Sequence, residues 1–258
     1  MSIKNKIIIA GPCAAESRSQ VLKCASYCKE RDIKVMRASL WKSRTKPGFE
    51  GVGSQGIPWF SEVTNKGLTI GTEVLLPEHV TELFEGIRDK KGNPQKVFLW
   101  LGARNQNHMI QKEIARRIKT ETPKEVKLLI KNQPWGDENH WLGIIDHILS
   151  TGLSHNRIIL CHRGFAPYRQ DNPNKFRFMP DFEMAMRIKM KTELPMLIDP
   201  SHIGGSVQNV FTVMNQAKAY NFDGLMVEVH PTPRQALTDA KQQLTFRELG
   251  QLLAILKQ

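Results

Sequence analysis

Residues 6–13 read KIIIAGPC, a continuous apolar run that stops on a side chain able to bind a metal or a proton. Seven later runs have the same form: IKVMR to Arg37, LTIGTE to Glu73, VFLWLGAR to Arg104, VKLLIK to Lys131, RIILCHR to Arg163, PMLIDPSH to His202 and GLMVE to Glu228. Short runs that are continuously apolar suit parallel strands buried on both faces. Their first residues fall about 30 apart, which leaves room for one helix between neighbours. This is the rhythm of a (β/α)8 TIM barrel, an α/β fold whose active site forms at the strand ends.

The chain of 258 residues matches the size of one such barrel, so 1–258 is expected to be a single catalytic domain. Periodicity predicts helices over 16–30, 58–66, 77–87, 106–119, 137–150, 180–191, 207–220 and 245–256. Two connections are long, 39–56 and 164–179, and both follow strands, where long loops usually carry function. The cysteines, Cys13, Cys24, Cys28 and Cys161, are too few for a disulfide framework, which points to a reducing, cytoplasmic setting. Cys24 and Cys28, four residues apart on the first helix, read as small core hydrophobes. No run approaches the ~20 apolar residues of a membrane span, and the N-terminal run is too short for a signal peptide. The formal charge of +12 is spread over helices such as KEIARRIKT without interleaved aromatics. A nucleic-acid surface is therefore not expected, and this charge reads as solvated faces that attract anions.

Two constellations carry chemistry. Cys13 ends strand one, His202 follows strand seven, Glu228 ends strand eight, and Asp239 comes eleven residues later, expected at the start of the last helix. A thiolate, an imidazole and two carboxylates suit a divalent ion such as Zn, Mn, Fe or Co. Each has a plain structural alternative: a strand-end His is often a hydrogen bonder, and Asp239 is a good helix cap. The second constellation is Arg37, Lys42, Arg44, Arg104, Lys131 and Arg163, all at or just after strand ends. So many cations around one cavity require anions, and Arg and Lys suit phosphate and carboxylate. Two anionic ligands, at least one of them phosphorylated, are expected.

The stretches AGPCAAES, RASLWKSRTKPGFEGVG, GTEVLLPEHV, LGARN, LLIKN, CHRGF, LIDPSHIGG and MVEVHPTPRQALTDAKQQL, in this order, closely resemble 3-deoxy-D-arabino-heptulosonate 7-phosphate (DAHP) synthase of the short, barrel-only branch. The resemblance implies a metal-dependent condensation of phosphoenolpyruvate with erythrose 4-phosphate, the first step of the shikimate pathway to aromatic amino acids. It implies that Cys13, His202, Glu228 and Asp239 hold the metal, and that Arg104, Lys131 and Arg163 receive the phosphoenolpyruvate phosphate. Arg37 and Lys42 would then meet its carboxylate, Arg44 and Thr45 the aldose phosphate, and Lys42 would protonate the aldehyde oxygen. Glu73 would either assist the attacking water or serve as a structural hydrogen bonder. The resemblance also implies a dimer or tetramer, and the chain's extent gives no expectation of a regulatory or chorismate mutase domain.

Three further readings follow from departures and neighbours of that pattern. Ser43 stands where the family usually has Pro in Lys-Pro-Arg-Thr, which should loosen the loop that grips the aldose phosphate. Trp135 and Trp141, in NQPWGDENHW, read as packing residues. The nearest other enzyme is 3-deoxy-D-manno-octulosonate 8-phosphate synthase, which uses arabinose 5-phosphate, but its aldose loop typically reads Lys-Ala-Asn-Arg-Ser-Ser and KSRTKP is closer to the first family. A non-catalytic metabolite-binding homologue is the alternative of another class, and the complete set of site residues argues against it.

Overall fold

The computed structural model describes residues 6–43, 47–87, 97–167 and 171–256. The expected strands all form: β1 (Ile7–Gly11), β2 (Val35–Arg37), β3 (Thr69–Glu73), β4 (Val97–Leu101), β5 (Lys127–Lys131), β6 (Ile158–His162), β7 (Met196–Ile198) and β8 (Gly224–Glu228). They are parallel and close into a barrel in sequence order, with Gly11 of β1 paired to Glu228 of β8. Helices separate them: α1 (Arg18–Glu30), α2 (Ile57–Thr64), α3 (Glu78–Gly86), α4 (His108–Glu121), α5 (Glu138–Leu149), α6 (Phe182–Thr192), α7 (Pro200–Gly204), α8 (Val207–Ala217) and α9 (Phe246–Ile255). The short α7 has no counterpart among the helices expected from periodicity, because five residues show no helical repeat. Among the described residues, no helix is long and apolar enough to cross a membrane.

Alternation along each strand sorts side chains into two cores. Ile9, Phe98, Trp100, Leu129, Ile159, Cys161, Leu197 and Met226 pack together as the inner cluster. Their strand neighbours, such as Ala10, Leu99, Leu128, Leu160, Ile198 and Val227, join the larger cluster that seals the helices onto the barrel. Two residues further along the inner series come Lys131, Asp199 and Glu228, so this parity carries charged groups to the C-terminal mouth. Polar caps start the helices, with Ser17, Asn107, Asp137, Asp181, Ser206 and Thr245 each accepting from a first-turn backbone N–H. Gly11 is required where β1 meets β2: its φ is 152°, and a Cβ there would lie 2.1 Å from the Arg37 carbonyl oxygen.

The cysteines are free and buried, and Cys24 and Cys28 belong to the outer core as expected. The two tryptophans divide. Trp141 is fully buried, whereas Trp135 is 45% exposed and meets His140 in an edge contact, because the chain around 135 runs over the surface between β5 and α5.

Candidate active site

Pro12 and Cys13 carry the chain from β1 over the mouth, and the Cys13 N–H donates to Gln243 Oε1 at 3.0 Å. Glu228 ends β8; its N–H donates to Ser201 Oγ at 2.9 Å and its Oε2 accepts from Gln242 Nε2 at 2.7 Å. Asp239 corrects the sequence expectation: it does not open the last helix, which begins after the Thr245 cap. It sits instead in the preceding loop in a left-handed backbone conformation, φ 48°, uncommon for a residue with a side chain. That loop folds back over β1, so Asp239 Oδ2 lies 3.4 Å from Cys13 Sγ. Strain of this kind is often found at functional sites.

Cys13, Glu228 and Asp239 each bring one donor atom within 4.8 Å of the others. His202, on α7, adds Nε2 at 3.9 Å from Glu228 Oε1 and 4.0 Å from Asp239 Oδ2. Donors spaced this way suit one ion with bonds of about 2.0–2.3 Å. Glu228 Oε1 is buried and pairs with Arg37 Nη2 at 3.2 Å, yet it accepts no hydrogen bond, which keeps a lone pair for a metal ion. Burial lowers the His202 pKa, which keeps the imidazole neutral and able to ligate. Burial and then Glu228 push the Cys13 thiol well above its ordinary value; a bound cation reverses that balance. For Asp239 burial opposes ionisation, but His202, cationic only at the acid pH where this carboxyl titrates, together with Arg177 and Lys42 outweighs it and holds the carboxyl well below its usual range.

The cations surround this group. Arg37 is 1% exposed, and its Nη2 lies 3.2 Å from Glu228 Oε1 while Nη1 has no hydrogen-bond partner. Its guanidinium stands 5.1 Å from the centre of the Trp100 ring, on the inner core. Lys42 Nζ lies 3.3 Å from Cys13 Sγ and 3.9 Å from Glu73 Oε2. Burial alone would lower the Lys42 pKa, but Cys13, Glu73 and Glu228 more than offset it, so the ammonium stays charged. Glu73 itself leans on Gly102, where a Cβ would come within 1.9 Å of Glu73 Oε1.

Arg163 is 4% exposed and packs 3.5 Å from the Phe178 ring centre. Burial, partly offset by Asp199, combines with the like charges of Arg104 and Arg177 to pull its pKa down to about 10. Arg104 lies on the exposed loop after β4, with Nη1 3.4 Å from the Ser43 carbonyl oxygen. Arg44 and Thr45 lie outside the described residues. The other expected site residues converge on the mouth.

Several partners escaped sequence reading. Asp199 caps α7 and accepts from Lys131 Nζ at 2.6 Å. Burial opposes its ionisation, but Lys131, and His202 at the acid pH where that ring is charged, outweigh the burial and hold it as a carboxylate. Asn132 accepts the Arg163 N–H at 2.7 Å and donates to the Gly164 carbonyl. Arg177 donates to Asp239 Oδ1 at 2.9 Å and to Gln242 Oε1 at 2.8 Å. The available signal was position: Asp199 and Asn132 directly follow β7 and β5, and Gln242 and Gln243 follow Asp239 closely.

The model of the DAHP synthetase I family matches residues 4–258. This chain belongs to the DAHP synthetase I family. It is similar to the phospho-2-dehydro-3-deoxyheptonate aldolase of Thermotoga maritima, 30% identical over 253 residues, which cover 97% of this chain and 68% of that protein. The crystal structure of that DAHP synthase superposes with a TM-score of 0.83, covering 98% of this chain and 68% of the solved one. A truncated form of the Thermotoga enzyme gives 0.79 at 28% identity, covering 98% of this chain and 85% of that one. A 2-dehydro-3-deoxyphosphooctonate aldolase of Geobacter sulfurreducens is 27% identical over 271 residues, 97% of this chain and 91% of that protein. Family membership thus agrees with the barrel and with the chemistry gathered at its mouth.

Proposed function

We propose that this chain condenses phosphoenolpyruvate with erythrose 4-phosphate to give DAHP and phosphate, the entry step to aromatic amino acids. One observation carries the reading: four metal-capable donors, Cys13, His202, Glu228 and Asp239, meet buried Arg37, Lys131 and Arg163 and half-buried Lys42 at a single barrel mouth. Few chemistries need a cation site and a phosphate-sized set of positive charges side by side.

Lys131, Arg163 and Arg104 bind the phosphoenolpyruvate phosphate, and Arg37 and Lys42 its carboxylate, with the free Arg37 Nη1 available to it. Arg44 and Thr45 take the aldose phosphate and so fix the aldehyde against C3 of the enol phosphate. That orientation matters because the enol phosphate is a weak nucleophile and gains most from a near-attack pose. A divalent transition metal on Cys13, His202, Glu228 and Asp239 would supply a Lewis acid toward the aldehyde oxygen. As C3 attacks, Lys42 donates its proton to that oxygen, and its charged state supports this role. Water then adds at C2, and phosphate leaves with cleavage of the C2–O bond. Glu73, 3.9 Å from Lys42, supports the ammonium's placement and is a candidate to take the proton of the water.

The four free cysteines support a cytoplasmic setting. A dimer or tetramer is the assembly expected of the relatives' kind, and sedimentation measures it. The deciding assay uses metal-stripped protein, reconstituted with Mn, Fe, Zn or Co in turn, and follows phosphate release with each aldose. Release with erythrose 4-phosphate and little with arabinose 5-phosphate is expected. The reverse order would assign the octulosonate reaction, and release with neither would leave a binding homologue.

A further inference from the structure

Asp199 is fully buried at the C-terminal end of β7 and touches both halves of the site. Its Oδ1 accepts the backbone N–H of His202 at 3.0 Å and so caps α7. Its Oδ2 is shared: it accepts from Lys131 Nζ at 2.6 Å and lies 2.8 Å from His202 Nδ1. The Lys131 contact is a full hydrogen bond. The His202 contact has the distance but not the angle of one, and His202 Nδ1 is left without a hydrogen-bond partner. Thus one carboxylate oxygen faces two donors, and in this state Lys131 holds it.

We propose that Asp199 is a positioning residue that couples the metal site to the phosphate site, by dividing one oxygen between the imidazole of His202 and the ammonium of Lys131. The proposal rests on the roles given above to His202 and Lys131. An anion that draws Lys131 toward itself releases Oδ2 for His202 Nδ1. The ring then donates a linear hydrogen bond from Nδ1, which fixes the tautomer with its lone pair on Nε2, the atom nearest Glu228 and Asp239. A carboxylate behind a ligating imidazole raises its basicity and sets its orientation. In the other direction, a cation on Nε2 strengthens the Nδ1 donor, commits Oδ2 to His202 and leaves Lys131 more of its charge for the anion. Such coupling is reciprocal by thermodynamic necessity.

The test measures binding without turnover, in the full chain and with no aldose present. Free Mn(II) is followed by its paramagnetic resonance, with and without phosphoenolpyruvate. In the unaltered chain, phosphoenolpyruvate is expected to tighten Mn(II) binding by a factor within about 5–150. Asp199→Asn keeps the shape and the helix cap but lacks the charge. It is expected to weaken Mn(II) binding about 10- to 100-fold and to reduce the tightening factor at least threefold. Asp199→Ser, also a good cap, gives the same readout if the amide perturbs folding. A purely structural role would lower thermal stability yet leave the tightening factor unchanged, and that result overturns the proposal. If Cys13→Ser binds Mn(II) as tightly as the unaltered chain, the metal reading itself fails, and the proposal with it.

Discussion

At the scale of single residues, the site depends on groups that tolerate little change. Gly102 gives Glu73 its room: a methyl there would overlap Glu73 Oε1 at 1.9 Å and push the carboxylate away from its place beside Lys42. Gly102→Ala is therefore expected to lower kcat by tenfold or more while circular dichroism stays native. An unchanged kcat would remove Glu73 from the machinery. Cys13 makes a second case. Its thiol pKa is raised by burial and by Glu228, so the metal-free site carries a thiol that must lose its proton when an ion binds. Below that pKa, proton and ion compete for the same sulfur, so affinity rises with pH. Calorimetry of Zn(II) binding in buffers of different ionisation enthalpy should show about one proton released, and Cys13→Ser should abolish most of that release.

At the scale of elements, caps and loops decide how firmly the mouth is held. The capping box of α9, in which Thr245 and Glu248 satisfy each other's backbone donors, anchors the helix that follows the Asp239 loop. Thr245→Ala should cost about 1 kcal/mol in urea unfolding, with little change in turnover. The loop after β2 makes a different prediction. Ser43 offers its carbonyl to Arg104, and Pro at this position would retain that acceptor while stiffening the chain. Ser43→Pro is expected to lower KM for the aldose phosphate; an unchanged KM would show that loop stiffness does not set sugar-phosphate affinity. Strands were legible in the sequence because continuous apolar runs bounded by polar residues have few other uses. Helix α7 was not legible, because a single turn is fixed by the Asp199 cap and by contact with α8 rather than by a repeat. The position of Asp239 was misread for a related reason: an Asp before a helix suggests a cap, and only the fold shows the loop turning back onto β1.

At the scale of the whole molecule, the barrel turns eight separate strand ends into one ring. A site that gathers thiol, carboxylates and cations in a buried space is costly without its ligands, and a ligand bound only by the folded state stabilises that state by mass action. Saturating metal is therefore expected to raise the melting temperature by several degrees, and a chelator to reverse the rise; scanning calorimetry reads both. Composition, the spacing of apolar runs and the residues closing them determined the barrel, the family resemblance and most of the candidate ligands, because period, burial and side-chain chemistry are properties of the sequence itself. The tertiary structure alone decided the geometry among them: that Asp199 stands between His202 and Lys131, that Arg177 holds the outer oxygen of Asp239, and that Trp100 lies against Arg37. Apart from Asp199 and His202, which α7 itself brings together, those contacts join residues tens of positions apart, and only closure of the sheet, with β1 hydrogen-bonded to β8, completes the ring that brings them within reach.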